Sequence, residues 1–126
     1  MSRKSKWVSP GAVLLGLLAT TGSAVGQSEN LYHETVQPFL ETYCIQCHGP
    51  EKQKADRRYD TLGNDFLDRD SIGLWQDIVD LLNLGDMPPE DEDQPSSEDL
   101  LAVVDWISGE LTEAYAHHKS NNQNTV

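Results

Sequence analysis

Cys44-Ile45-Gln46-Cys47-His48 is the stretch of this chain whose residue types and spacing can do chemistry. Two thiols three positions apart, with an imidazole directly after the second, form the pattern of covalent c-type haem attachment. On a helix of 3.6 residues per turn, Cys47 and His48 fall about 300 and 400 degrees round from Cys44. The spacing therefore predicts that all three side chains project from one face and meet one planar macrocycle. The thiols would add to the two vinyl groups as thioethers, and His48 would offer a neutral nitrogen to the iron. A redox dithiol, half of a zinc site and a plain disulfide share the Cys-x-x-Cys element. Cys44 and Cys47 are the only cysteines, so a zinc site lacks its other thiols, and no strand is evident for a thioredoxin-type βαβ setting.

The second chemical stretch is Asp86-Met87-Pro88-Pro89, which lies 39 residues beyond His48. A thioether sulfur is a soft, uncharged ligand that suits haem iron opposite a histidine, and His/Met ligation raises the reduction potential. Two prolines would hold that sulfur at little ordering cost. The other reading of Met87 is a gap-filler in the core. The only other methionine is Met1, and His33, His117 and His118 fall in polar stretches that read as solvated.

These groups must be positioned by helices. From Glu29 to His48, Leu31, Val36, Leu40, Tyr43 and Cys47 recur at helical steps, and Pro38 either kinks the run or begins a second helix. Gly49-Pro50 should stop it just past the histidine. Residues 51–70 are polar and carry Lys52, Lys54, Arg57 and Arg58, a cluster suited to haem propionates, with Arg58 the foremost candidate. Leu62, Phe66 and Leu67 are expected to tuck this segment onto the core. Ile72, Trp75, Ile78, Val79 and Leu82 make an apolar stripe for a helix over 71–84, capped by Ser71 and ended by Gly85. After the acidic 90–97 loop, Ser96 or Ser97 should cap a last helix running from about Glu98 to His117. Its buried side is expected to hold Leu100, Leu101, Val104, Ile107, Leu111 and Tyr115. Trp106 would flank that face and pack against the first helix near the haem. The chain thus divides into a leader over 1–26, an all-α domain over 27–118 and a polar tail over 119–126, expected to be disordered.

Residues 1–26 read as an export signal. Arg3, Lys4 and Lys6 precede the apolar run Ala12–Ala19, and small residues follow through Gly26. The run is far short of the roughly 18–20 residues that span a bilayer, so no stable membrane insertion is expected after cleavage. Of 126 residues, 21 are acidic and 9 basic, giving a net charge of −12. Three of the bases sit in the leader and none of the acids does, so the mature chain carries about −15. Nucleic acid and anionic lipid are thereby poor partners, while a redox partner protein, if charge steers it, would be basic. Only 37% of residues are hydrophobic, which leaves a small core that a rigid apolar cofactor would help to close.

The order of these motifs resembles class I cytochromes c. More narrowly, CIQCHGPEKQKADRRYDT, LLNLGDMPPEDEDQPSSEDL and VVDWISGEL resemble the planctomycete-type cytochrome c domain over roughly Glu29 to Ala116. That family usually reads Lys-Ala-Gly-Leu-Arg-Leu-Asp after the haem motif, whereas this chain has Asp56-Arg57 in place of Gly-Leu. The resemblance implies one covalently bound haem c, with Cys44, Cys47, His48 and Met87 as its tethers and ligands. It also implies an exported, periplasmic or extracellular carrier of single electrons rather than an enzyme. The family often sets this domain at the head of longer secreted proteins. A gas-sensing or ligand-binding haem with an open sixth site, and a haem-free interaction module with a Cys44–Cys47 disulfide, are the rival readings. Oligomeric state is not readable from these motifs.

Overall fold

A computed structural model describes residues 24–123. Most of the leader and the last three residues lie outside that range. The described chain is helical, as expected, with no strand in it: α1 (Ala24–Leu31), α2 (Gln37–Tyr43), α3 (Arg69–Leu84) and α4 (Ser97–Gln123). Among these residues no helix is long and apolar enough to cross a membrane.

α1 and α2 are joined end to end by one wide π turn over Tyr32–Val36, in which Gln37 N–H donates to the Tyr32 carbonyl. The reason is Pro38, which lies in the first turn of α2. A proline ring collides with the carbonyl one turn back and offers no N–H, and a widened turn relieves both problems without breaking the rod. The extra residue also turns the helix phase. Leu31, expected inward, is 49% exposed, while Val36 and Leu40 are buried as expected and Tyr32 and Phe39 join them on the inward face.

α3 buries the stripe expected of it: Ile72, Trp75, Ile78, Val79 and Leu82 are all under a tenth exposed. Its cap differs. The helix begins at Arg69, and Asp68, not Ser71, is the capping residue, accepting from the Ser71 N–H at 2.8 Å and the Ser71 hydroxyl at 3.0 Å. A carboxylate at that position satisfies an orphan donor and complements the helix dipole. Gly85 ends the helix in the left-handed conformation (φ 74°), with Asp86 N–H donating to the Leu81 carbonyl.

α4 opens on a reciprocal cap: Ser96 Oγ accepts from Asp99 N–H at 3.1 Å and donates to the Asp99 carboxylate at 2.7 Å. It passes the expected end at His117 and continues through Gln123, so residues 119–123 of the expected disordered tail are helical. Its buried face is also rotated from the one expected. Val103, Trp106, Ile107, Leu111 and Ala114 point inward, whereas Leu101 and Tyr115 are 62% and 50% exposed. The largest apolar side chain decides this rotation. Trp106 packs edge-on to Trp75 at 5.6 Å and to Phe66 at 5.5 Å, and lies 5.5 Å from Tyr32, while Phe66 stacks on Trp75. Each ring buried in this way is worth about 1.5–3 kcal/mol in area alone.

Polar tips of the cluster are satisfied by backbone. Trp75 Nε1 donates to the Gly63 carbonyl (3.2 Å), Trp106 Nε1 to Ser28 (3.1 Å) and the Tyr32 hydroxyl to Leu62 (3.0 Å). Three long-range bonds thus clamp the 57–68 segment and α1 to the helix pair. Leu62 and Phe66 are buried as expected, but Leu67 is 63% exposed. The Asp65 side chain accepts from Leu67 N–H at 2.8 Å, a local turn that leads into the α3 cap.

Candidate functional site

The Cys44–His48 motif begins where α2 ends. It is not the last turn of a regular helix: Cys44 and Ile45 N–H both donate to the Leu40 carbonyl, and Cys47 and His48 N–H both donate to the Cys44 carbonyl. The second pair restores the one-turn relation, so Cys44 and His48 remain stacked as the spacing requires. Chain reversal follows at once. Gly49 N–H donates to Lys52 O at 2.8 Å, Lys54 N–H to Cys47 O at 2.9 Å and Tyr59 N–H to His48 O at 2.8 Å. The peptide of His48 is therefore held on both sides by the strand-like return of residues 53–59.

Among the described residues, His48 is the one buried charged or polar side chain. Its Nδ1 lies 3.0 Å from the Lys54 carbonyl. A carbonyl only accepts, so Nδ1 carries the proton and Nε2 keeps its lone pair, the tautomer a metal ligand needs. The Tyr59 ring packs 4.9 Å from the imidazole and fixes its plane.

These residues line one open cleft of about 1010 Å³, counting the part exposed to solvent. α2 and the motif contribute Tyr43, Cys44, Cys47 and His48; α3 contributes Ile78, Leu81 and Leu82; the loop after Gly85 contributes Met87, Pro88 and Pro89. Gln94, which sequence reasoning passed over, organises that loop. Its side-chain amide lies 2.7 Å from Pro89 O, 3.1 Å from Glu92 O and 3.3 Å from Pro88 O. A lone Gln in an acidic loop carries no sequence signal for this role. The Met87–Pro88 peptide is cis.

The donor set fits a covalently attached haem. Cys44 and Cys47 are free thiols, and burial pushes the Cys44 thiol up to about 12, which keeps it neutral. Among the described residues no three His, Cys, Asp or Glu side chains converge to hold a single metal ion. Cys44, Cys47 and His48 all line the cleft, where a planar macrocycle could meet them. The α3 wall of the cleft is aliphatic, made by Ile78, Leu81 and Leu82, as an apolar macrocycle requires.

Not every expected group is in the cleft. Arg58, the foremost propionate candidate, is absent from the lining; it forks onto Asp60, with Nε 3.0 Å from Oδ1. That bond holds the Asp60 carboxyl below its ordinary range. The local reason is strand-like alternation: Arg57 and Tyr59 face the cleft, and Arg58 between them faces away. Lys54 and Arg57 are the basic residues of the lining. Trp106 packs on α1, as expected, but belongs to the core cluster and not to the cleft. His33, His117 and His118 lie outside the cleft as well. His33 and His117 are exposed; His118 turns its Nε2 away from solvent with no hydrogen-bond partner among the described residues.

In the 52–58 return, Ala55 and Asp56 both adopt left-handed backbone, each with φ 55°. Asp56 occupies the position at which the resembled pattern carries Gly, so the turn is retained while its glycine is not.

Comparison with known proteins gives the same reading. Searches of curated proteins and of solved structures found no match. The family model described as planctomycete cytochrome C matches residues 44–91, the stretch that runs from the first thiol through Met87 and the Met-Pro-Pro turn. Cytochrome c domains of this kind hold covalently bound haem, serve haem-based electron transfer and are typically exported. Over residues 44–91 the chain is thus similar to the planctomycete cytochrome C family.

Proposed function

We propose that this protein is a monohaem c-type cytochrome that carries single electrons between partners outside the cytoplasm. Cys44 and Cys47 would tether the haem, and His48 Nε2 and Met87 Sδ would bind its iron. The observation that carries this reading is the His48 tautomer: with Nδ1 bonded to the Lys54 carbonyl, Nε2 is the free nitrogen in a cleft that Met87 also lines. Bound haem supplies the one-electron couple of its iron. The chain's own residues do the rest. The Lys54 carbonyl and Tyr59 orient the imidazole, Gln94 braces the loop of Met87, and Ile78, Leu81 and Leu82 limit water. With His48 and Met87 both bound to it, the iron would have no site open to substrate, and we read the domain as a carrier rather than an enzyme.

The test is the visible spectrum of oxidised and reduced protein, coexpressed with haem-attachment machinery, for wild type and Met87→Ala. A low-spin spectrum with the sulfur-to-iron charge-transfer band, lost in the variant, is expected. A high-spin wild type unchanged by the substitution would reject Met87 as ligand and favour small-molecule binding at an open iron.

A further inference from the structure

The cleft lining is charged by segment: Lys54 and Arg57 come from the return after the haem motif, Glu92 and Asp93 from the loop after Met87. A haem brings two propionates, and carboxylates settle against cations rather than beside acids. Arg58, the neighbour with the same charge, is already committed to Asp60. Arg57 is ion-paired through Nη1 to Asp77 on α3, yet a guanidinium has five donors in a planar fork, and Asp77 takes only one of them. Its side chain is 34% exposed, so its charge is neither fully screened nor isolated.

We propose that Arg57, held in place by Asp77, is the carboxylate anchor of this cleft, binding a haem propionate and setting the reduction potential together with its acidic partner. The proposal rests on the haem reading above. It assigns a role to a residue that the resembled pattern, with Leu at this place, does not have.

Two further observations support it. The Arg57–Asp77 pair ties the 52–59 return to α3 across the cleft wall, which fixes the guanidinium against the lining. Arg57 and Tyr59 both line the cleft, and the Tyr59 ring is the one packed on His48. The Arg57 charge thus acts at the ligand end of the cleft. A cation there disfavours the ferric state, which carries one more positive charge than the ferrous state. Arg57 therefore raises the potential and Asp77 lowers it.

The experiment measures midpoint potential, and the carboxylate bands of the redox-difference infrared spectrum, for haem-loaded wild type, Arg57→Leu, Arg57→Lys and Asp77→Asn. At a fixed ambient potential, Arg57→Leu should raise the oxidised-to-reduced ratio by about threefold or more, as expected for a unit charge at an effective dielectric of about 20 to 80. That is a fall of about 28 mV at 59 mV per decade for one electron. Asp77→Asn should move the ratio the opposite way, Arg57→Lys should retain most of the wild-type value, and a propionate band should shift in Arg57→Leu. A purely structural strap predicts the same direction for both members of the pair and no propionate shift; that result overturns the proposal. So does wild-type potential in all three variants. A colourless wild type refutes instead the haem reading, and the two failures are distinct. If Arg57→Leu loads no haem, a lowered oxidised-to-reduced ratio in Asp77→Asn beside a near-wild-type ratio in Arg57→Lys supports the proposal, and an unchanged or raised ratio in Asp77→Asn overturns it.

Discussion

Gly49, directly after His48, tolerates no side chain for a reason visible in the backbone. A Cβ built there would lie 2.4 Å from the Ile45 carbonyl oxygen and 2.9 Å from Ile45 Cγ2, whereas ordinary contact begins at 3.4 Å. The Ile45 methyl can rotate away. Its carbonyl cannot, because Ile45 sits between the two thiols and its peptide is part of the turn that stacks Cys44 under His48. Gly49→Ala must therefore open that turn by about 1 Å, an overpacking that costs about 1–3 kcal/mol. In a domain of about 100 residues each kcal/mol lowers Tm by about 4–8 °C, so a fall on the order of 10 °C is expected. Haem-to-protein ratio after coexpression should drop with it, since both thioethers depend on the turn. Gly63→Ala is the control, because a Cβ at Gly63 meets nothing within 4 Å. Thermal unfolding of the haem-loaded proteins, with haem content measured on the same samples, makes the comparison. Equal Tm and equal haem content for the two variants would refute the close-packing argument.

Three other outcomes are expected. Gln94→Ala should free the Met-Pro-Pro turn from its amide brace, costing about 1 kcal/mol and speeding displacement of Met87 by added imidazole about fivefold; an unchanged rate removes Gln94 from the account. Asp56→Gly should stabilise the protein by up to about 1 kcal/mol, because it relieves a left-handed residue that is exposed and has only conformational strain to lose; chemical denaturation reads this directly. The Asp68 carboxyl is held below its ordinary value of 3.8, first by the Ser71 N–H and then by the Ser71 hydroxyl. Its contribution is therefore present above pH 3.8 and is lost as pH falls through the lower folded-state value. Asp68→Asn keeps a capping oxygen without the charge, so its stability relative to wild type should converge as acid is added; a constant difference down to pH 2 would contradict the cap.

Local chemistry was legible before any coordinates. Cys44, Cys47, His48 and Met87 were nominated by residue type and spacing, and all four line the same cleft. The α3 stripe was legible too, because an uninterrupted 3.6-residue period leaves one possible buried face. Where the period was disturbed, the reading slipped. Pro38 forced a π turn that shifted the inward face of the first rod away from Leu31, and Trp106 pulled the α4 face toward itself at the expense of Leu101 and Tyr115. Asp68 displaced Ser71 as cap because the helix starts earlier, at Arg69, where a carboxylate accepts from the Ser71 N–H and complements the helix dipole.

The sequence by itself carried the haem-attachment motif and the helical class, because thiol spacing and apolar period are properties of neighbours along the chain. Which basic side chain reaches the cleft was decided only by tertiary structure. Arg57 and Arg58 are adjacent and chemically identical, and the backbone of the 52–59 return sends one to Asp77 at the cleft and the other to Asp60 away from it. Likewise the His48 tautomer depends on a carbonyl six residues on, and the Met87 loop depends on an amide seven residues on; both were brought into range by chain reversals. Partners of that kind are set by where a turn closes, and a turn closes where distant packing allows it.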